Sequence, residues 1–371
     1  MRISKKIRTF ARKLRYNFII NINMNKLLSI VIPIYNVEKY IYKCLNSLLV
    51  SEYLLELLDV VIINDGTPDS SAIMAKEFEV KYPNVFRVID QENRGHGGAW
   101  NHGTELAQGK YIFYLDSDDW FDTNEFSKLI LFLQSCDTDM VVLDKMNYYA
   151  ETDKYISIER KSMTPNFVYS TDTFDWLGCG EGSNITYAHN TIYRTSMMQK
   201  YMPLFCEHVM YDDISLQLMP IVIAEDFVYV KYNVYRYYIG RPGQSFDPKV
   251  RAAKASEHVG KVLQFVMRWN KNNRNIAPIG TTRRAWADDL YSSFGFHHYY
   301  ELAEFPYKIA KLRMYEWDEF IQEEFPDITT SKVMKMYRAL PFPLFYAWFQ
   351  FFHFVQRIYR FINRKLKKIN V

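Results

Sequence analysis

Leu28-Ser29-Ile30-Val31-Ile32-Pro33-Ile34 is a short, apolar, β-branched run of the kind found in strands buried on both faces. Working outward, Ile41, Leu45, Leu48 and Leu49 recur at helical spacing, and Val60-Val61-Ile62-Ile63 reads as a second strand ending in the turn signal Asn64-Asp65-Gly66. The pattern then predicts a helix over 70–81, a strand near 86–89, a helix from about Ala99 and a strand over 111–115. Alternating short strands and helices imply an α/β fold with a mostly parallel central sheet and right-handed crossovers. Ligands of such sheets sit beyond the carboxyl ends of the strands, where the polar residues of this region cluster.

Past Phe121 the alternation loosens. A helix near 124–135 and a strand over 140–143 precede a polar, tyrosine-rich stretch without clear order, and 248–340 reads as a helical region with no internal repeat. The organisation expected is a basic N-terminal segment (1–26), an α/β domain (27–245, its two halves meeting near 120), a helical region (246–340) and a basic aromatic helix (341–371).

The chain has 371 residues, 49% hydrophobic and 24% charged, enough to bury a sizeable core. Its four cysteines contain no C-x-x-C pair, which argues against a zinc knuckle or disulfide framework and fits a reducing cytoplasm. The net charge of +4 is uneven: residues 1–26 carry eight Lys/Arg and residues 341–371 six, neither with an acid, so the body holds 32 basic against 42 acidic residues. No nucleic-acid partner is expected of an acidic body.

Both ends look amphipathic. Gln350, His353, Arg357, Arg360, Arg364 and Lys367 form a polar helical stripe among aromatics, and the apolar stretch 344–355 is about half of the ~20 residues that span a bilayer. A helix in the interface of an anionic membrane is expected, which would place the chain peripherally on the inner face of the cell membrane. The other reading packs both ends on the body or on a second chain.

Two phosphate cradles are excluded. Gly95-His96-Gly97-Gly98 would need a further glycine where Trp100 stands, and no G-K-[S/T] exists. The prominent cluster is Leu115-Asp116-Ser117-Asp118-Asp119-Trp120, after a predicted strand. In extended chain Asp116 and Asp118 point the same way, and two close carboxylates call for a cation such as Mg²⁺ or Mn²⁺ bridging to a diphosphate. Alone, D-x-D is a weak signal, and the cluster reads as a solvated acidic turn capping the next helix.

It belongs to a series of four motifs in order: S-I-V-I-P-I-Y-N at 29–36, N-D-G-T-P-D-S-S at 64–71, Q-E-N-R-G at 91–95 and G-K-Y-I-F-Y-L-D-S-D-D at 109–119. Together they resemble the family 2 glycosyltransferases, which have a GT-A fold and transfer sugar from a nucleotide-sugar with inversion. Tyr211-Asp212-Asp213-Ile214 resembles the family's acceptor-side Y-E-D-[I/L], and 237–245 the sequence that follows it. The resemblance implies that Pro33, Tyr35, Glu38, Asp65, Asn93, Arg94, Asp116 and Arg241 bind the nucleotide-sugar. It further implies that Asp118 with Asp116 holds the metal, and that Asp213 is the general base. Asn64 replaces a common Asp. Asp212 replaces the usual Glu, so the base could be either member of the pair. Trp100 stands where the family has Arg, leaving Arg94 or Arg241 to supply positive charge. The implied activity is sugar transfer from a nucleotide-sugar, a UDP-sugar first, to a lipid-linked or cell-surface glycan acceptor. The competing readings are a polyprenyl-phosphate acceptor and a non-catalytic membrane scaffold.

Overall fold

The computed structural model describes residues 26–179, 185–241, 244, 248–303, 305–326, 332–352 and 355. The expected N-terminal amphipathic segment and the last part of the C-terminal one lie outside them.

Strand β1 (Leu28–Ile34) is buried along its whole length. Its side chains alternate between two cores: Ile30, Ile32 and Ile34 pack with Ile41, Leu45 and Phe78, while Val31 packs with Ala99, Trp100 and Tyr114. It pairs in parallel with β2 (Leu58–Asn64) on one side and β4 (Tyr111–Tyr114) on the other, and β3 (Phe86–Asp90) pairs in parallel with β2. The intervening helices are α1 (Ile41–Asn46), α2 (Glu52–Leu55), α3 (Ser71–Lys81) and α4 (Gly95–Leu106).

Beyond β4 come β5 (Trp120–Phe121), α5 (Thr123–Leu133), β6 (Met140–Leu143), β7 (Lys145–Tyr149), β8 (Lys154–Ile158), β9 (Val168–Ser170), β10 (Thr191–Arg194), α6 (Thr195–Lys200), α7 (Met219–Ile223), β11 (Asp226–Val230) and β12 (Tyr235–Ile239). Asp122 caps α5, its carboxylate accepting from the Asn124 and Glu125 N–H groups at 3.1 and 3.0 Å. The large sheet runs β3-β2-β1-β4-β10-β6-β11-β9, with β10 antiparallel to β4 and β6, and a second sheet runs β5-β12-β7-β8. The tyrosine-rich stretch that defied ordering supplies most of this second sheet.

The helical region comprises α8 (Pro248–Asn273), α9 (Thr282–Ala303), α10 (Tyr307–Glu324) and α11 (Lys332–Ala339). It is fused to the sheet: Val262, Val266, Trp269 and Trp286 share the core that holds Val31 and Trp100. A further helical segment, 342–352, buries Phe345 and Phe349 against α8, α9 and α10. Two aromatics expected to face a membrane are therefore core residues, because the adjoining helices offer them a dry surface.

Candidate active site

Asp65 follows β2 and Asp116 follows β4, so both emerge from the same carboxyl edge of the parallel strands. Asp65 is buried; its Oδ1 accepts from Gln91 Nε2 and from the Arg94 N–H, both at 2.7 Å, and its carbonyl accepts from Asn93 Nδ2 at 2.9 Å. The Q-E-N-R motif thus closes over the N-D-G motif. Pro33 is buried opposite Ile63, while Tyr35 just beyond is 47% exposed and free to meet a ligand. Glu38 accepts from the Ser70 N–H at 3.3 Å, and its own N–H donates to Asp69 at 2.9 Å.

Asp69 was not expected to matter. It also receives hydrogen bonds from Thr67 Oγ1 and from the Ser71 N–H and hydroxyl. Burial raises its pKa, but these bonds outweigh it and bring the carboxyl down to about 2. An ionised Asp69 ties the turn after β1 to the start of α3.

Helix α4 begins at Gly95, four residues before the sequence pattern places it, and its glycines serve contact instead of a dinucleotide cradle. A Cβ on Gly97 would lie 2.3 Å from the Cys206 carbonyl oxygen. The absence of that carbon lets the first turn of α4 press against the segment leading to Asp212. Asn101 reinforces the junction, accepting from the Leu204 and Phe205 N–H groups at 3.0 and 3.1 Å. Trp100, at the position of the missing arginine, is buried with its ring 4.1 Å from that of His96.

His96 links the two halves. Its Nε2 lies 2.9 Å from Asp116 Oδ1, and its Nδ1 3.0 Å from Asp212 Oδ2. Burial lowers its pKa, yet the two carboxylates outweigh that and raise it well above the usual value, making an imidazolium that donates to both. Burial likewise pushes Asp116 up while His96 pulls it down, and the balance lies below the ordinary carboxylate range. His189, 3.9 Å from Asp116, behaves oppositely: burial and Lys145 lower it to about 3, so it is neutral.

Asp213 stands beside Asp212 at the start of a 3₁₀ turn (Asp212–Gln217), after Tyr211 in left-handed conformation with φ 68°. Burial, then the charges of Asp212 and Asp116, raise its pKa to about 7. Asp212 is committed to His96, whereas Asp213 is poised to exchange a proton near neutrality.

Asp118 is ion-paired with Arg241, and Arg94 with Glu207. Both arginines expected at a diphosphate are thus held by carboxylates at this site. Gln244, in contrast, serves its own loop, donating to the Tyr238 carbonyl at 2.6 Å. Asp119 accepts from the Tyr235 hydroxyl and the Tyr238 N–H, both at 2.7 Å. Among the described residues, Asp116, Asp119 and His189 bring three potential ligand atoms within 4.8 Å of one another. Hard carboxylate oxygens with one neutral imidazole suit a divalent ion such as Mg²⁺ or Mn²⁺, so the donor set fits the metal that the sequence resemblance implies. Sequence reasoning passed over His96 and His189 because a lone histidine is usually structural; the signal was His96 inside a G-x-G-G turn.

Comparison with known proteins bears on the fold and the family. The model of glycosyl transferase family 2 matches residues 29–202. EpsH of Bacillus subtilis (strain 168), named as a glycosyltransferase, is 31% identical over 219 residues, covering 57% of this chain and 60% of EpsH. The minor teichoic acid biosynthesis protein GgaB of the same organism is 32% identical over 123 residues, 33% of this chain and 14% of GgaB. Among solved structures, S. aureus TarS 1–349 in complex with UDP-GlcNAc superposes with a TM-score of 0.65 at 17% identity, covering 86% of this chain and 89% of that one. The fold is of the GT-A type, and residues 29–202 are similar to glycosyl transferase family 2. It spans at most about 60% of the length of these two curated relatives.

Proposed function

We propose that this enzyme moves a sugar, with inversion, from a nucleotide-diphosphate sugar to a hydroxyl of a lipid-linked or cell-surface polysaccharide at the inner face of the cell membrane. The observation that carries the reading is the His96 bridge, which ties Asp116 of the donor-side motif to Asp212 of the acceptor-side turn at 2.9 and 3.0 Å. A UDP-sugar is the first choice of donor, in keeping with the UDP-GlcNAc named for the TarS complex. The polysaccharide acceptor accords with a relative named for minor teichoic acid biosynthesis.

In this mechanism Tyr35, Asp65, Asn93 and Arg94 hold the nucleotide, with Pro33 and Glu38 shaping the turn behind it. Arg241 exchanges Asp118 for the diphosphate. Asp213 takes the proton of the acceptor hydroxyl as its oxygen attacks the anomeric carbon, on the face opposite the departing diphosphate. A divalent ion, when bound, supplies charge neutralisation to the leaving diphosphate; Asp116 and Asp118 are the residues that would hold it, with Asp119 and His189 beside them. A carboxyl titrating at about 7 is a far stronger base than an ordinary aspartate while remaining half ionised at neutral pH.

The test is a panel of nucleotide-sugars incubated with the full chain, with and without Mg²⁺ or Mn²⁺, read as nucleoside diphosphate release. At least one donor should be turned over only with the ion. Release from none, together with absent thermal stabilisation by any of them, would favour a non-catalytic scaffold.

A further inference from the structure

Segment 342–352 has two apolar faces, and only one is used. Phe345 and Phe349 are buried among Leu263, Met267, Tyr299 and Trp317. The Tyr346 hydroxyl donates to the Phe305 carbonyl at 2.9 Å, and Gln350 Nε2 to the Ala303 carbonyl at 2.6 Å. The opposite face carries Leu344, Trp348, Phe351 and Val355, which are 60, 36, 67 and 46% exposed. Their gaps of four, three and four place them on one helical stripe.

Helix α10 extends this surface. Leu312 and Tyr315 are 56 and 60% exposed, and with Lys308, Lys311, Tyr337 and Phe342 they line an open groove of about 290 Å³. The rings of Tyr307 and Phe342, 5.2 Å apart, join α10 to the segment.

Charge selects what this surface meets. From Lys332 to Val371 the sequence holds nine Lys/Arg and no acid. A second copy laid on this face would set like-charged lysines against Lys308 and Lys311, whereas an anionic surface complements them. The exposed aromatic stripe suits the boundary between headgroups and acyl chains.

We propose that the Leu344–Val355 stripe and the Lys308–Lys311 groove together form the face by which this chain docks on an anionic lipid bilayer. Trp348 and Phe351 enter the acyl boundary, and Lys308 and Lys311 lie at the headgroup phosphates. The proposal shares the membrane location of the function above but not its chemistry.

The full chain is sedimented with phosphatidylcholine vesicles with and without phosphatidylglycerol. Wild type should pellet with the anionic vesicles. Phe351→Glu should weaken that partition about tenfold or more, since a large apolar side chain contributes roughly 1.5–3 kcal/mol on burial. Lys308→Ala and Lys311→Ala should each weaken it about fivefold, and only on anionic vesicles. Phe351→Ala, an exposed truncation that leaves the fold alone, should lie between. The proposal is overturned if wild type stays in the supernatant, if the variants pellet like wild type, or if the chain is a dimer that Phe351→Glu splits without vesicle binding. Nucleoside diphosphate release is measured on the same samples: docking without release would sink the transferase reading alone, and release without docking this one.

Discussion

In residues 28–121 each candidate ligand residue stands within a few positions of a strand end, whereas Asp212 and Asp213 lie on a turn set by distant contacts. Asp65 and Asp116 are placed by β2 and β4, strands whose burial follows from their own apolar runs. Asp212 and Asp213 are placed by a 3₁₀ turn after a left-handed Tyr211, held against α4 by His96 and by the contact at Gly97. The Asp65 and Asp116 side of the site is thus built by local pattern, and the Asp212–Asp213 turn by packing against it. Substitutions should separate the two kinds of construction.

The largest stability effect should come from the C-terminal helical segment. Phe345→Ala should cost about 3–5 kcal/mol in denaturant unfolding, as a truncated buried phenylalanine leaves a cavity. Phe351→Ala on the exposed face should stay within about 0.5 kcal/mol. Equal costs would mean that the two faces are not distinct.

Gly97→Ala is a smaller perturbation with a sharper reading. The added carbon would sit 2.3 Å from the Cys206 carbonyl, so the α4 junction must shift, at about 1–3 kcal/mol. Turnover should fall by more than nucleotide affinity does, because the shift moves Asp212 and Asp213 relative to the donor site. A variant that loses nucleotide affinity while keeping turnover would break the comparison.

The smallest of the three is Asp65→Ala. It removes the acceptor of two 2.7 Å bonds that organise the Gln91–Arg94 loop. Nucleotide affinity should drop about tenfold, measured by calorimetry, with metal affinity little changed.

The parallel sheet, its strand ends and the spacing of the carboxylates were legible in the sequence, because continuous apolar β-branched runs and helical spacing are local properties. The start of α4 was not, since a glycine-rich turn reads as loop and the reason for those glycines is a carbonyl more than a hundred positions away. His96 was passed over for the same reason: its meaning lies in Asp116 and Asp212, which only the fold brings to it. Asp69 looked like one polar residue among several, yet it holds two loops together. In the C-terminal segment the aromatic pattern was visible, but which aromatics are core depended on α8, α9 and α10.

The measurement that bears most directly on the division of labour is the pH dependence of transfer by wild type, Asp213→Asn and Asp212→Asn, alongside their nucleotide affinities. A base works when deprotonated, and Asp213 carries a pKa raised to about 7, so wild-type kcat/KM should hold above that pH and fall as pH drops through it. Asp213→Asn should bind nucleotide like wild type, lose about 10²–10⁴-fold in turnover and lose the acid limb near 7. Full turnover and an intact limb in Asp213→Asn, with both lost in Asp212→Asn, would contradict the account and give the base to Asp212.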